Sequence, residues 1–541
     1  MFVQVTFPIS SFQTFTYSVP KSITSKIICG VCVKAPIGNR FLRGYVISVK
    51  ESSNYSGKIK NISKVYDRRM QIPFELWKTF EWISFYYISP LGQVLKAAIP
   101  QSFQKGYNSS KVKCIIITKA GINVLSQWNY NAPAQYRLLS AAKKFKKPMP
   151  ISIFGDIVSS PTSISKILKD KGWVKFFSLD KENDPLKTIS NDIDKEIKLS
   201  KDQNLVYLPI RKTLGKKNFS PFLLHGVTGS GKTEIYLKLA RKTVDFGMSV
   251  LVLVPEITLT PQVAKKFRQV FGNKVALWHS RMTKSEKSWT WKQLINGAYS
   301  VLVGARSALF SPLENIGLII VDEEQESSYK QEHPSPRYNA RDVALVRAKN
   351  ASATVLLTSA TPSLESYYNS IIGKIKLLKL DKRYGKAIYP EVKLVDMRNQ
   401  RDGNGKVPLI SNHLQDSIKK CLSKNEQIIL LQNRRGFSLI QQCLDCGNIT
   451  SCKNCAVSMT LHKEDMNLKC HYCEFKIDIL VFCELCRSNQ LQFHGSGTQK
   501  VESEIKDLFP NSRLIRMDID TVKTRGSHQK LLQNFFDQKA D

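Results

Sequence analysis

The chain reads as an α/β protein built on a parallel sheet. A mainly-β domain and a small helical domain precede the sheet, and a cysteine-rich insertion interrupts its later part. Three observations predict this. From Leu199 onward, short apolar runs alternate with helical stretches, as strands and crossover helices do in a parallel sheet. Before about residue 105, segments such as Val3-Gln-Val-Thr-Phe7, Val31–Gly38 and Gly44–Val49 are short, apolar and separated by Pro and Gly, which suits strands and turns. Eight of the twelve cysteines fall between Cys443 and Cys486.

The elements follow in order. Residues 1–105 form the β domain, with a helical stretch from Phe74 to about Tyr87 near its end. Residues 110–178 form the helical domain. There Ile164–Lys171 is followed by Gly172-Trp173-Val174, a helix–turn–strand step that suits a winged helix. Residues 179–198 are polar and charged, contain Pro185, and read as a linker. The first parallel-sheet domain spans 199–375. A second, partial one spans 376–541 and carries the cysteine-rich insertion over 441–490. No internal repeat longer than the CxxC unit is visible, and the one dense basic tract is Lys143-Lys-Phe-Lys-Lys147.

Composition narrows the partners. Of 541 residues, 81 are Lys or Arg and 44 are Asp or Glu, a formal net charge of +37. Such an excess suits an acidic partner, nucleic acid first, and a lysine-rich genome is the plain alternative. No apolar run is long enough to cross a bilayer, which takes roughly 18–20 residues. The first residues lack the basic segment and apolar core of a secretory signal. The expected compartment is the cytoplasm, with no membrane partner. There, clustered cysteines favour a metal over disulfides.

Phe222-Leu-Leu-His225 is a short strand candidate. Gly226-Val227-Thr228-Gly229-Ser230-Gly231-Lys232-Thr233 follows it and leads into a helix-forming run from Glu234. This is a phosphate-binding loop in strand–loop–helix context. Its glycines let successive backbone N–H groups face one anion. Lys232 would sit on the β- and γ-phosphates of ATP, and Thr233 would offer a hydroxyl to Mg²⁺. Ile316–Val321, a buried-strand pattern, ends in Asp322-Glu323-Glu324-Gln325. Asp322 would hold Mg²⁺, and Glu323 would orient and deprotonate the attacking water. Another apolar strand ends in Thr358-Ser-Ala-Thr-Pro362, small hydroxyl residues able to bridge the phosphate end to a nucleic-acid groove.

Four CxxC pairs occur: Cys443/Cys446, Cys452/Cys455, Cys470/Cys473 and Cys483/Cys486. Two such pairs complete a tetrahedral Cys₄ site, so eight cysteines predict two Zn²⁺ ions. Four pairs can couple in three ways, and spacing does not choose among them. His462 and His471 lie nearby, but eight thiolates suffice. Cys29-Gly-Val-Cys32 has no partner pair and reads as packing, as do Cys114 and Cys421.

The loop, the DEEQ segment and the SATP segment, in this order, resemble superfamily 2 helicases. Val254–Gln262, Gly304–Phe310, Ser359–Ser366 and the short Trp278-His-Ser280 narrow the resemblance to the bacterial primosomal replication-restart helicases, the PriA (primosomal protein N′) family. Pro336–Asp342 resembles the end of that family's aromatic-rich loop, which links single-strand binding to ATP turnover. The resemblance implies base stacking and phosphate contacts from Tyr329, Lys330, Arg337, Tyr338 and Arg341. It implies that Gln203 reads adenine. It also implies a nested zinc pairing, with Cys443, Cys446, Cys483 and Cys486 on one ion and Cys452, Cys455, Cys470 and Cys473 on the other.

The same resemblance implies RecA-like motor lobes and an N-terminal domain that grips a DNA 3′ end. It is carried by Phe12–Tyr17, Pro36–Arg40 and Tyr86–Leu95, with Arg40 on phosphate. Two departures stand out: Gln325 replaces the family's usual His, and Thr16 stands where an acidic residue is common. Asn433–Phe437, Gly495–Gln499 and Arg516–Asp520 resemble parts of the second lobe. The last motor motifs, including an arginine that reaches the γ-phosphate, find no counterpart, so the second lobe is expected to be incomplete. The implied activity is an ATP-dependent 3′-to-5′ DNA helicase that binds forked and single-stranded DNA. Its implied partners are single-stranded DNA-binding protein and other primosome proteins, and its task is to help reload the replicative helicase. The alternative is a truncated, non-catalytic DNA- and zinc-binding scaffold of the primosome. An RNA-processing ATPase is more remote.

Overall fold

The computed structural model describes the chain apart from residues 54, 56, 67–71, 102–110, 181–182, 187–197, 256–259, 386–388, 401–407, 433–439, 463–465, 471, 495–497, 519–520 and 522–526. The segment Asn433–Phe437 and much of Val254–Gln262 and Gly495–Gln499 therefore lie outside the described residues. The chain divides into two compact units, Met1–Ile388 and Tyr389–Asp541. Among the described residues no helix is long and apolar enough to cross a membrane.

The first unit opens with a five-stranded antiparallel sheet of β1 (Phe2–Thr6), β2 (Phe15–Ser18), β3 (Cys32–Ile37), β4 (Arg40–Lys50) and β5 (Lys64–Val65), ordered β2-β1-β4-β3-β5. Gly44 sits where β4 crosses β1. A Cβ there would meet Val5 Cγ1 at 2.5 Å, so only glycine fits. Two helices follow, α1 (Phe74–Tyr86) and α2 (Leu91–Ala98). Next come β6 (Lys111–Ile117), α3 (Lys119–Ser126), α4 (Pro133–Lys143), β7 (Met149–Pro150), α5 (Pro161–Asp170) and β8 (Val174–Asp180). Their strands form a three-stranded antiparallel sheet ordered β7-β6-β8. Gly172, at φ +75°, makes the expected turn from α5 into β8.

The linker expected over 179–198 is anchored where it is described. Leu186 is buried in the core of the following domain. Arg268 donates to Asp184 at 3.1 Å.

That domain contains α6 (Lys201–Arg211), β9 (Ser220–Gly226), α7 (Lys232–Asp245), β10 (Ser249–Leu253), α8 (Thr260–Phe271), β11 (Val275–Trp278), α9 (Lys284–Ile295), β12 (Val301–Gly304), β13 (Ile316–Val321), α10 (Ala340–Asn350), β14 (Thr354–Ser359), α11 (Leu364–Ile371) and β15 (Lys376–Leu380). The seven strands are parallel and ordered β11-β12-β10-β13-β14-β9-β15, a RecA-like sheet. β15 pairs with β9, so this sheet runs past the boundary expected at residue 375.

Alternation along the strands fills a core on each face. Leu223, Leu251, Ile319 and Val355 point one way, where α1 of the N-terminal domain packs through Leu76, Phe80 and Ile83. Leu224, Val250, Ile320 and Leu356 point the other way, toward α6, α7 and α8. Every residue of β13 and β14 is buried. A parallel sheet covered on both faces requires such apolar runs.

The second unit contains α12 (Asn412–Ser423), β16 (Ile440–Cys443), β17 (Thr460–His462), β18 (Asn467–Lys469), β19 (Lys476–Asp478), β20 (Leu491–His494), α13 (Thr498–Leu508) and α14 (Ser527–Phe536). β16 pairs with β20, and β17-β18-β19 form a small antiparallel sheet.

Candidate functional site

Parallel register brings three strand ends to one edge. Val321 pairs with Leu357, Leu357 with Leu223, and Ser359 with His225. The loop after β9, the carboxylates after β13 and the hydroxyls after β14 therefore meet, as open α/β sheets require of a ligand site. The loop and the carboxylates Asp322 and Glu323 line a cavity of about 530 Å³ together with Gln203, Lys198, Lys266 and Tyr384.

The loop is a cradle. Gly229 and Gly231 hold φ near +80°, and Gly231 is the N-cap of α7. The helix thus begins with its unpaired N–H groups facing the cavity, where an anion is favoured. Ser230 Oγ is buried without a hydrogen-bond partner. Lys232 Nζ donates to Gly226 O at 2.7 Å and lies 3.8 Å from Glu323 Oε1. A buried orphan hydroxyl, a helix N-terminus and a folded-back lysine fit a polyphosphate.

The carboxylates lie opposite. Tyr236 Oη lies 3.1 Å from Thr233 Oγ1 and 3.2 Å from Asp322 Oδ2. Thr358 donates to Asp322 Oδ1 at 2.7 Å. Thr233 and Asp322 could therefore hold a Mg²⁺ ion between them. Glu323 takes φ +47° and accepts from Gln325 Nε2 at 3.0 Å, while Ser359 donates to Gln325 Oε1 at 2.6 Å. Gln325 thus joins the carboxylate to the serine after β14.

Burial raises the Asp322 carboxyl above its ordinary range, against the opposing bonds from Thr358 and Tyr236. With the folded value raised, the native state holds more protons across the window between the two values, and stability falls as pH rises through it. Asp322→Asn is expected to abolish nucleotide hydrolysis and to raise the melting temperature at neutral pH. Thermal melts of both proteins across that window check this. A variant that melts lower at neutral pH would sink it.

Gln203 occupies the cavity wall but is almost wholly buried, and its amide is already engaged. Its Oε1 accepts from Ser200 N at 2.9 Å in a capping box, and its Nε2 donates to Ser230 O at 3.0 Å. Its place in the structure is to brace the loop, and reading adenine would require breaking these bonds. Gln203→Ala is expected to lower stability by about 1–3 kcal/mol, read by denaturant unfolding, because buried partners lose their bonds.

The expected DNA contacts need correction. Tyr329 and Tyr338 are each 1% exposed and cannot stack on a base. Tyr329 Oη donates to Asp322 O at 2.6 Å, and Tyr338 packs edge-on against Phe310 at 4.9 Å. Arg341 is also buried. It donates to Ser363 Oγ at 2.7 Å, pairs with Glu324 at 3.4 Å and is therefore not available to phosphate. Lys330 and Arg337 are exposed, with Lys330 Nζ donating to Arg337 O. Arg40 is exposed at the start of β4. Of the N-terminal aromatics, Phe12 is exposed, whereas Phe15 and Tyr17 pack against Phe7.

Sequence reasoning missed three residues. Tyr236 bridges the loop and Asp322. Glu324, 2% exposed, accepts from Ser363 N, Ser363 Oγ and Ser366 Oγ and ties the two strand ends together. Tyr384 donates its backbone N–H to Gly229 O at 2.9 Å and leaves its ring open to the cavity. Only Glu324 carried a signal, as the third acid after an apolar strand.

In the second unit the cysteines gather as two quartets, Cys443/Cys446/Cys483/Cys486 and Cys452/Cys455/Cys470/Cys473, each with its sulfurs within 4.8 Å of one another. Measured Sγ–Sγ distances are 3.5 Å for Cys443–Cys486, 3.6 Å for Cys446–Cys483 and 3.6 Å for Cys452–Cys473. A tetrahedral Zn²⁺ with bonds of about 2.3 Å has edges of about 3.8 Å, so the quartets fit that ion. Each CxxC turn repeats one geometry. The residue after the second cysteine (Gly447, Ala456, Glu474 or Arg487) takes a positive φ and donates its N–H to the first cysteine's carbonyl. Backbone N–H groups, that of Cys486 foremost, lower the Cys483 thiol to about 6, and that of Phe475 lowers Cys473 to about 7. The quartets contain no histidine: His462 is in neither, and His471 lies outside the described residues.

Comparison with known proteins places these features in a family. The 3'DNA-binding domain (3'BD) family matches residues 4–100, the DEAD/DEAH box helicase family matches 203–369, and the PriA DNA helicase Cys-rich region (CRR) domain matches 452–477. The replication restart protein PriA of Bacillus subtilis (strain 168) is 35% identical over 98% of this chain and 74% of its own length. The chain belongs to the PriA replication restart family. Other members include PriA of Chlamydia trachomatis, 34% identical over 97% of this chain and 71% of its own, and PriA of Haemophilus influenzae, 33% identical over 99% and 73%. As a PriA-family chain it is a replication restart DNA helicase with an ATP-dependent DEAD-type motor and a 3′ DNA-binding domain. Among solved structures, RecG bound to a three-way DNA junction is similar at a TM-score of 0.28 and 22% identity, over 36% of this chain and 25% of that one.

Proposed function

We propose that this chain couples ATP hydrolysis to 3′-to-5′ movement on single-stranded DNA, separates strands at forked DNA, and helps to reload the replicative helicase. The observation that carries this reading is the meeting of Lys232, Thr233, Asp322 and Glu323 around one cavity at the carboxyl edge of one sheet. In this reading the N–H groups of Gly229, Gly231, Lys232 and Thr233 hold the phosphates, and Lys232 leaves Gly226 O to neutralise the γ-phosphate. Thr233 and Asp322 would hold Mg²⁺, which would supply charge to the phosphate oxygens. Glu323, held by Gln325, orients the attacking water and takes its proton. Tyr384, 62% exposed at the cavity wall, offers its ring to the base.

The three helices and three-stranded antiparallel sheet between residues 111 and 180 support a winged-helix role on duplex DNA. The exposed residues Lys330, Arg337 and Arg40 are the candidates for phosphate contact. Each cysteine quartet would close a structural Zn²⁺ with four sulfurs. We place the work in the cytoplasm, beside single-stranded DNA-binding protein and other primosome proteins.

The test is DNA-stimulated phosphate release by the full chain, together with displacement of a strand from forks whose single-stranded arm has 3′ or 5′ polarity. Release and displacement from the 3′-armed fork alone are expected. Fork binding without phosphate release would overturn the helicase reading in favour of a scaffold.

A further inference from the structure

Tyr236, on α7, brings a hydroxyl into surroundings that are otherwise apolar. Ile235, Leu237 and Leu239 beside it are buried, and its ring belongs to the core that holds Val252 and Ile320. Tyr236 is 1% exposed. Its ring stacks on Phe267 of α8 at 6.2 Å and 8°, and Phe267 stacks on Phe271 at 5.9 Å and 15°. Close packing on both sides fixes the ring, and with it the place of the hydroxyl. A phenylalanine would fill the same core without an oxygen that needs partners.

That oxygen reaches the two residues able to hold Mg²⁺. Tyr236 Oη lies 3.1 Å from Thr233 Oγ1 and 3.2 Å from Asp322 Oδ2. A phenol has one proton to donate and can also accept. An ionised carboxylate only accepts, so the phenol proton goes to Asp322. The other contact then runs the opposite way, with Thr233 donating to Tyr236 Oη. The second oxygen of Asp322 accepts from Thr358 at 2.7 Å. Proton directions along Thr233, Tyr236 and Asp322 are thereby set.

This order suits a cation. A hydroxyl that gives a lone pair to a metal must send its proton to another acceptor, and Tyr236 Oη stands within reach. A carboxylate ligand is oriented by the groups that donate to it, and losing such a group weakens the metal. The bonds that shape the phosphate loop itself, from Lys232 to Gly226 O and from Gln203 to Ser230 O, do not involve Tyr236.

We propose that Tyr236 is a positioning residue for the divalent cation that accompanies ATP: it takes the Thr233 proton, gives its own to Asp322, and leaves both oxygens with lone pairs for the ion. This rests on the reading that ATP binds beside Asp322, and adds a residue to it. The effect of Tyr236 is on metal affinity, not on nucleotide affinity in the absence of metal.

Two variants test it. Tyr236→Phe removes the oxygen and keeps the ring, whereas Phe267→Leu keeps every oxygen and loosens the stack. Affinity for a fluorescent ATP analogue is measured over a range of Mg²⁺ concentrations, starting with none added. Binding of Mn²⁺ to the protein–ADP complex is followed by electron paramagnetic resonance. In Tyr236→Phe the Mn²⁺ dissociation constant is expected to rise about tenfold or more, and the gain in analogue affinity on adding Mg²⁺ to fall correspondingly. Analogue affinity without Mg²⁺ is expected to stay within about threefold of the wild type. Phe267→Leu should shift the Mn²⁺ constant in the same direction by less. An unchanged Mn²⁺ constant in Tyr236→Phe, or an equal loss of analogue affinity with and without Mg²⁺, would overturn the proposal. If Tyr236→Phe does not melt cooperatively, Phe267→Leu decides by the same criteria. A wild type that binds no analogue at any Mg²⁺ concentration sinks the function proposed above and this role with it. A wild type that binds the analogue equally at every Mg²⁺ concentration sinks the role of Tyr236 alone.

Discussion

Lys232→Ala is expected to lower ATP turnover by on the order of 10²–10³ or more, while leaving DNA binding by the N-terminal domain intact. The size follows from what the side chain faces. Lys232 is 9% exposed, and its ammonium sits between the Gly226 carbonyl and Glu323. A preorganised charge in such a water-poor site accounts for roughly that factor when charge develops on a transferring group. The substitution also leaves Asp322 and Glu323 facing the cavity without the cation, so the triphosphate meets net negative charge. Binding should therefore weaken along with the chemical step. Steady-state phosphate release and binding of a fluorescent ATP analogue separate the two effects. Turnover within about threefold of the wild type would mean that the triphosphate does not rest in this loop.

Legibility in the sequence followed how local each cause is. The phosphate loop was readable because glycines at fixed offsets between a strand and a helix serve one backbone geometry, and Gly229 and Gly231 adopt it. Asp322 and Glu323 were readable because β13 is apolar throughout and stops where they begin. Side-chain type alone misled for Tyr329, Tyr338 and Arg341. Aromatic and basic residues in a loop resemble nucleic-acid contacts, but their exposure depends on packing against Phe310 and pairing with Glu324, which lie elsewhere in the chain. The anchoring of Asp184 was not legible for the same reason, since Arg268, which donates to it, lies 84 positions later. Gln203 differs. The run Ser200-x-x-Gln203 is a capping-box pattern, so its structural role was legible alongside the adenine reading. For the cysteines, membership in a metal site was local, whereas the coupling of pairs needed the fold of the whole insertion.

That coupling yields the other large expected effect. The insertion has little else to hold it. β17, β18 and β19 are three residues each, and the cluster they enclose has four buried members among the described residues, two of them the ligands Cys452 and Cys470. A core this small does not offset the entropy of ordering the segment. Metal binding at a structural Cys₄ site contributes about 10–16 kcal/mol near neutral pH, enough to do so. Chelation of Zn²⁺ is therefore expected to unfold residues 441–490, seen as loss of amide protection confined to that stretch. Paired substitutions then read the nesting directly. Cys443→Ser with Cys483→Ser removes two ligands from one quartet and should leave about one Zn²⁺ per chain. Cys443→Ser with Cys452→Ser strikes both quartets and should leave almost none. If consecutive CxxC pairs shared an ion, the two results would exchange. Zinc content per chain, measured by elemental analysis on the purified variants, distinguishes the arrangements without reference to activity.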